Sequence, residues 1–535
     1  LSPRGAERRA RGRRQAQPRR SQKQPRAREA VEALLREQLG FRGFRPALEE
    51  ETRAAAEAAE RAPGARRDLT SLDTFTVDPA SARDFDDAVS AQREGDGARV
   101  WVHIADVAAH VLPGSALDRE ARKRANSTYV PGTVEPMLPH ALSSDACSLV
   151  PGVERLAVTT EVELGPDGRS RGASFYRSTI RSDARLDYAQ LDAVFAGRTP
   201  PPEQVAEPLA AARAIAAALG EQRRGNSLEI ESREPEFSFD AAGDVSAAQA
   251  VAQTESHRLI ERLMILANEQ VAQLLEQRRR AAIYRVHAQP DPDRIEGLIE
   301  QLAALGIPTP PLRAGLAPQE AGAVAAEASR LALEEAKRRG HGREAYTSLV
   351  LRSLKPALYS ERNSGHAGLG SAAYCHFTSP IRRYPDLIDH RALLAAMGEG
   401  EEAPRLAEAR DVAAHCSERE RDSARIEHEA DDVCAAYLLQ RELAERGSDA
   451  GFDGEVSGLI RAGAFVAFGG ELGDVYEGFL PARRLPGEYF ALDRAEVALV
   501  GRRSGTTVRL GDPISVRVAG VDASRGKAEL EPLDG

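Results

Sequence analysis

A chain of 535 residues that is 42% apolar has room for three or four domains, or for one large domain with attachments. It holds no run of 18 apolar residues, which excludes a membrane-spanning helix. Its four cysteines (Cys147, Cys375, Cys416, Cys434) lie far apart without paired spacing, which argues against a zinc site or a disulfide framework and fits a reducing, cytoplasmic setting. The net charge of −10 opposes nucleic-acid binding only if charge is evenly spread, and it is not.

Residues 1–30 carry eleven Lys/Arg against two Glu and no large apolar side chain after Leu1, so they read as a disordered basic arm. Such an arm adds salt-dependent affinity for phosphates; a solubility tail and a mitochondrial presequence are the alternatives. Val31, Leu34, Leu35 and Leu39 recur at helical spacing up to Gly40, and 46–61 is a second helix rich in Ala, Glu and Arg. Residues 31–68 are therefore a small helical element, read as a helix-turn-helix-like unit, ending in the linker Ala62-Pro63-Gly64.

From residue 69 the pattern changes. Thr74–Val77 and Arg99–Ile104 alternate as strands, with Glu94-Gly95-Asp96-Gly97 as a turn between them. Asp78 ends the first strand, and Asp84, Asp86 and Asp87 follow in the loop. Two carboxylates about 4 Å apart repel by roughly 4 kcal/mol at an effective dielectric of 20. A folded loop holds four of them only if some are protonated, if water separates them, or if a cation lies between. The donors are all hard oxygen, which selects Mg²⁺, Mn²⁺ or Ca²⁺ over zinc. An EF-hand is ruled out, because counting from Asp84 puts Val89 where the loop needs Gly and Gly95 where it needs Glu. A solvated acidic turn is the competing reading. Against it, Phe75, Val77, Phe85, Ala88 and Val89 are threaded among the charges and anchor the loop to a core.

Leu156–Leu164 and Ala173–Ser182 are further strands around Pro166-Asp167-Gly168. Helices follow at 253–278, with Leu259, Leu263, Leu266, Val271 and Leu274 on one face, and at 316–338. In Phe377-Thr378-Ser379-Pro380-Ile381-Arg382-Arg383-Tyr384-Pro385-Asp386 two prolines bracket two arginines, and the stiff loop suits bidentate phosphate contact. An ion pair with Asp386 or Asp389 is the equal alternative. Residues 405–447 are a long charged helix or helix pair. Beyond Arg446-Gly447-Ser448, five short strands (452–459, 464–468, 475–480, 507–510 and 514–518) suggest a small closed barrel. There Phe465 and Phe468 are candidate stacking platforms for RNA bases, with burial in the barrel core as the alternative.

These motifs together resemble the catalytic domain of the ribonuclease II / ribonuclease R family. The resemblance is carried by Asp78 to Val89, Trp101-Val102-His103-Ile104-Ala105-Asp106-Val107, Pro136-Met137-Leu138-Pro139, Tyr284-Arg285-Val286-His287 and, most specifically, His376 to Asp386, in family order across 71–445. The tail resembles an OB-fold RNA-binding domain of the ribosomal S-one type. The resemblance implies an α+β chain: an RNB catalytic domain over 69–447, a mixed sheet surrounded by helices, then the OB barrel over 448–535. It further implies a processive, Mg²⁺-dependent (alternatively Mn²⁺-dependent) 3′-to-5′ exoribonuclease that hydrolyses single-stranded RNA to nucleoside 5′-monophosphates in RNA decay and processing. Such an enzyme is a monomer that needs neither nucleotide cofactor nor membrane.

In the family, residues matching Asp78, Asp84, Asp86 and Asp87 hold the metal, with the one matching Asp86 most critical for turnover. The match to Arg382 contacts a phosphate, with Arg383 beside it, and the match to Tyr129 stacks near the 3′ end and sets the final product length. Three departures stand out. No β-rich cold-shock domain precedes residue 70, Ile230 stands where the family clamps the base stack with Phe, and Pro481 replaces a His of the tail barrel. An acidic residue of the helix near Asp432 matches Glu427 or Glu429. A catalytically silent RNA-binding regulator on the same scaffold is the alternative function; degenerate relatives lose the aspartates, and here all four are present.

Overall fold

The computed structural model describes residues 25–61, 64–223, 234–251, 253–313, 315–399, 401–469 and 475–533. The basic residues 1–24 and Ile230 lie outside the described residues. Helix α1 (Ala27–Leu39) begins inside the stretch read as disordered, because Ala27 and Val31 are fully buried. α2 (Pro46–Arg61) follows. α1 packs on the long helix described below and α2 on α3 (Ala116–Arg124), so the two do not form a helix-turn-helix unit of their own.

Nine strands follow up to residue 187: β1 (Arg67–Asp68), β2 (Phe75–Asp78), β3 (Asp87–Glu94), β4 (Gly97–Ala105), β5 (Thr128–Val130), β6 (Thr133–Glu135), β7 (Glu154–Leu164), β8 (Ser170–Arg181) and β9 (Ala184–Asp187). Seven make one mixed sheet in the order β1-β8-β7-β4-β3-β2-β9, parallel at its two outer pairs, while β5 and β6 form a separate hairpin. β3 was not expected. Its Asp87-Ala88-Val89-Ser90-Ala91 is small and partly polar, and a strand covered on both faces needs no alternation. Its polar side chains find partners inside the sheet. A buried chain of hydrogen bonds runs from Thr74 to Ser90 (2.8 Å), to His103 Nε2 (3.2 Å), from His103 Nδ1 to Thr159 (2.9 Å), and on to Ser178 (2.7 Å). Burial holds the His103 imidazole neutral, its pKa pushed down to about 3.

α4 (Tyr188–Phe195), α5 (Ala206–Arg223), the hairpin β10 (Glu234–Phe239) and β11 (Val245–Val251), and α6 (Glu255–Gln277) follow. α5 and α6 cover the sheet. β12 (Tyr284–Val286) pairs with β13 (Leu358–Ser360), and between them lies a helical unit of α7 (Pro292–Ala304), α8 (Pro318–Arg339) and α9 (Arg343–Ser353). α10 (Tyr384–Met397) has twelve of its fourteen residues buried and runs through the core. α11 (Leu406–Arg446) is a single helix of 41 residues, roughly 60 Å long at 1.5 Å per residue. No described helix is long and apolar enough to cross a membrane.

The tail strands are β14 (Gly451–Ile460), β15 (Gly463–Phe468), β16 (Tyr476–Pro481), β17 (Phe490–Leu492), β18 (Ala498–Gly501), β19 (Thr507–Arg509), β20 (Pro513–Asp522) and β21 (Lys527–Pro532). The barrel closes in the order β14-β15-β16-β21-β20. The expected strand 507–510 is therefore not a stave: it forms a side sheet with β17 and β18, and the Glu- and Lys-bearing β21 closes the barrel instead. Phe468 is fully buried against Phe452 and Tyr476 at centroid distances of 5.3 and 5.6 Å. That burial removes Phe468 as a stacking platform, whereas Phe465 stays half-buried beside Phe479.

Asp106, just past β4, fastens the start of the sheet domain to its far edge. Its buried carboxylate takes Arg66 Nη2 at 2.7 Å and Arg177 Nε at 2.9 Å, and Arg177 reaches on to Glu401. Asp106→Ala takes from two desolvated guanidinium groups the buried carboxylate they share. The expected loss is about 3–5 kcal/mol of stability, read by chemical denaturation; a loss below 1 kcal/mol contradicts this account.

Candidate active site

The acidic loop is built from both ends. Asp78 closes β2 and Asp87 opens β3, so two carboxylates have their backbones fixed by the sheet. Between them the loop is tied down by Phe85, which is buried, and by Ser148, whose hydroxyl accepts from Phe85 N (3.0 Å) and donates to the Arg83 carbonyl (2.9 Å). Arg185 donates to the carbonyls of Pro79 (3.1 Å) and Ala80 (2.9 Å). The acidic stretch is thus an anchored loop and not a solvated turn.

The arginine loop meets it at Asp86. Ile381 N–H donates to Asp86 Oδ1 at 2.8 Å, and Arg382 Nε lies 3.6 Å from Asp86 Oδ2. Asp386, fully buried in the first turn of α10, accepts from Ser379 N (2.8 Å) and Arg383 Nη2 (2.7 Å). The two open readings of the arginines are thereby divided: Arg383 is taken up by the Asp386 ion pair, while Arg382, its side chain 46% exposed, faces the acidic loop. The loop is also stitched to the chain that leads into β5. Ser127 N donates to the Arg382 carbonyl (2.9 Å) and Tyr384 N to the carbonyl of Ala125 (2.8 Å), a non-glycine residue held at φ 65°. That conformation costs on the order of 1–3 kcal/mol.

Tyr129, on β5, completes the wall. Its hydroxyl donates to Asp84 Oδ2 (2.9 Å) and its N–H to Glu427 Oε1 of α11 (2.8 Å), with 41% of the residue exposed. Of the two acidic candidates on α11, Glu427 holds the Tyr129 backbone and lines the neighbouring cavity, whereas Glu429 is engaged by Gln38. All four aspartates, Tyr129, Arg382 and Arg383 line one cavity of about 670 Å³, closed on its apolar side by Ile260, Met264 and Leu369. Phe465 and Phe468 do not line it.

The motifs left two of its parts unread. Tyr188 lines the cavity beside the aspartates. Asn268 sits on α6 and accepts from Phe377 N (2.8 Å) while donating to the Tyr374 hydroxyl (3.1 Å), which fixes the segment entering the arginine loop. Its signal is an amide on an otherwise apolar helix face, four residues after Met264 and three before Val271.

Burial, reinforced by the charge of Asp87, pushes the Asp78 carboxyl up to about 8; burial pushes Asp87 up to about 6 and Asp86 well above the usual range. Asp78 Oδ2 and Asp86 Oδ2 are buried without a hydrogen-bond partner. Among the described residues no group of three or more His, Cys, Asp or Glu side chains is drawn together as a ready-made metal site. The donor set nevertheless fits a hard divalent cation: all oxygen, desolvated, and with two orphaned oxygens whose cost a positive charge would offset.

The RNB domain family matches residues 66–399, more than half of the chain. The chain belongs to the RNB family. Ribonuclease R of Escherichia coli (strain K12) is 35% identical over 493 residues, which take in 89% of this chain and 58% of that protein. The chain therefore spans less than two thirds of the length of this curated relative. Among solved structures, Mycoplasma genitalium RNase R in complex with ribose-methylated single-stranded RNA superposes with a TM-score of 0.84 at 27% identity, covering 94% of this chain and 77% of that one. The same protein in complex with double-stranded RNA gives a TM-score of 0.78 at 26% identity, covering 94% and 82%.

The raised carboxyls make a pH prediction. Asp78 and Asp87 hold their protons in the native state to a higher pH than in the unfolded chain, where Asp titrates near about 3.9. At these two groups the native state then binds more protons than the unfolded one, so their contribution to stability is full below about pH 4 and is lost as pH rises toward about 8. Buried imidazoles such as His103 and His390 act in the opposite sense, so the test is differential: in metal-free protein Asp78→Asn is expected to raise the melting temperature by more at pH 8 than at pH 5. An equal shift at the two pH values in chelator contradicts the assignment.

Proposed function

We propose that this RNB-family chain is a metal-dependent, processive 3′-to-5′ exoribonuclease that hydrolyses single-stranded RNA to nucleoside 5′-monophosphates. The observation that carries this reading is the meeting of the two loops at Asp86. A carboxylate loop suited to a cation and an arginine suited to a phosphate share one cavity, although nearly 300 residues separate them in sequence.

Asp78, Asp84, Asp86 and Asp87 are the residues that would hold Mg²⁺ or Mn²⁺. Bound there, the ion supplies activation of the attacking water and neutralisation of charge on the departing oxygen. Arg382 is held loosely, by Asp86 at 3.6 Å and the Ser379 hydroxyl at 3.3 Å, which leaves donors of its half-exposed guanidinium to meet a phosphate oxygen and stabilise charge that develops in the transition state. Asp386 and Asn268 hold the loop on which Arg382 sits. Tyr129 offers its ring to the terminal base, a contact typically worth about 1–3 kcal/mol without reading sequence. Ile260, Met264 and Leu369 exclude water from one side of the cavity. Processivity follows from a binding surface longer than the nucleotide removed at each step, and the cavity of about 1000 Å³ that shares Tyr129 with the catalytic one extends that surface between α11 and the barrel.

Single-stranded RNA labelled at either end, incubated with and without EDTA, reads polarity and metal dependence together. Release of labelled mononucleotide from the 3′ end, and its loss in EDTA, is the expected result; 5′ release or internal cuts would sink the proposal. Asp86→Asn is expected to lower mononucleotide release by at least about 10³-fold while RNA binding persists, and unchanged hydrolysis by this variant in Mg²⁺ rules the mechanism out.

A further inference from the structure

Tyr129 sits on a hairpin of two three-residue strands, β5 and β6, which among the described residues pair with each other and with no other strand. An isolated two-stranded hairpin is marginal in water, so its aim is set by what it packs against. Besides α11, part of that support comes from residues before 66, where the RNB match begins. Val31 and Leu35 of α1 share one buried cluster with Val130 of the hairpin, Phe237 of β10 and Ile426 of α11. The same three elements, hairpin, β10 and α11, line the cavity of about 1000 Å³ beside Tyr129, and α1 lies behind all of them.

The turn after α1 then grips the hairpin through buried charge. Gly43 N donates to Glu135 Oε1 (2.8 Å), and the same oxygen takes Arg124 Nη1 (2.6 Å). Arg124, whose side chain is 1% exposed, also donates to the Gly43 carbonyl, and its guanidinium lies 3.8 Å from the Phe44 ring. Glu135 is the cross-strand partner of Thr128, next to Tyr129. A shift of the turn is therefore passed through a charge pair to the residue beside the ring.

We propose that α1 and the Gly43–Phe44 turn are a positioning brace for Tyr129, fixing where the terminal base stacks and so the length at which RNA degradation stops. This rests on the exoribonuclease reading and on stacking by Tyr129. Small displacements of a positioning group have large kinetic effects, so the brace acts on the last, shortest substrates, for which few other contacts remain.

The test is the limit fragment left from a 5′-labelled single-stranded oligoribonucleotide by the whole chain and by Glu135→Gln, Phe44→Ala and Tyr129→Ala, with a melting curve for each. The expected result is a longer limit fragment from Glu135→Gln and Phe44→Ala, shifted in the direction of Tyr129→Ala. Adding Tyr129→Ala to either should lengthen it no further than Tyr129→Ala alone. A merely structural loss lowers the amount of active enzyme without moving the fragment length. Phe44 is half-buried and decides the matter if Glu135→Gln does not fold. A wild-type fragment from Phe44→Ala, with Tyr129→Ala lengthened, overturns the brace and leaves the stacking reading intact; an additive lengthening in the double variant also overturns it. A wild-type fragment from Tyr129→Ala overturns the stacking reading and the brace with it.

Discussion

The site depends on carboxylates that have been taken out of water without being given enough partners. Two backbone termini of adjacent strands, at Asp78 and Asp87, and one buried side chain, Asp86, converge where the Ile381 N–H and the guanidinium groups of Arg382, Arg383 and Arg185 offset only part of the cost of burying their charge. Desolvation of this kind is expensive, and a fold keeps it only where the surrounding structure holds the groups in place. The surrounding structure does so here. The loop is pinned by Phe85, Ser148 and Arg185, and the facing loop by Asp386, Asn268 and the carbonyl of Ala125. Each pin uses a backbone group of the loop, so the aim of the charged side chains is set by the main chain.

The acidic and arginine loops were legible in the sequence because their chemistry is local. Four aspartates in ten residues and two arginines between prolines announce themselves without knowledge of the fold. What joins them was not legible. The Asp86–Ile381 contact spans nearly 300 residues, and no periodicity records it. The competing roles of Arg382 and Arg383 could not be separated in advance, since adjacent residues on a turn point in different directions and only the position of Asp386 decides between them.

Strand errors have the same origin. β3 was hidden because covering on both faces removes the alternation by which a strand is recognised. In the tail, 507–510 is a true strand with the wrong expected partners, and β21 was missed although Lys527, Glu529 and Glu531 alternate with Ala528 and Leu530, because the run is short and has no β-branched or aromatic residue. Phe468 shows the limit of composition most plainly. An aromatic residue in an OB strand packs inward or outward according to a register that one residue inverts, and here it packs inward.

The cluster that unites α1 with α11 also has a consequence for how the molecule is made. Val31 and Ile426 pack together although roughly 400 residues lie between them. A ribosome working at about 5–20 residues per second needs roughly 20–80 s to cover that distance. Throughout that interval the apolar stripe of α1 has been synthesised and its partner on α11 has not. Helix α1 is therefore among the last of these elements to find its full set of neighbours, and the nascent chain carries an incompletely covered hydrophobic surface there until the long helix emerges.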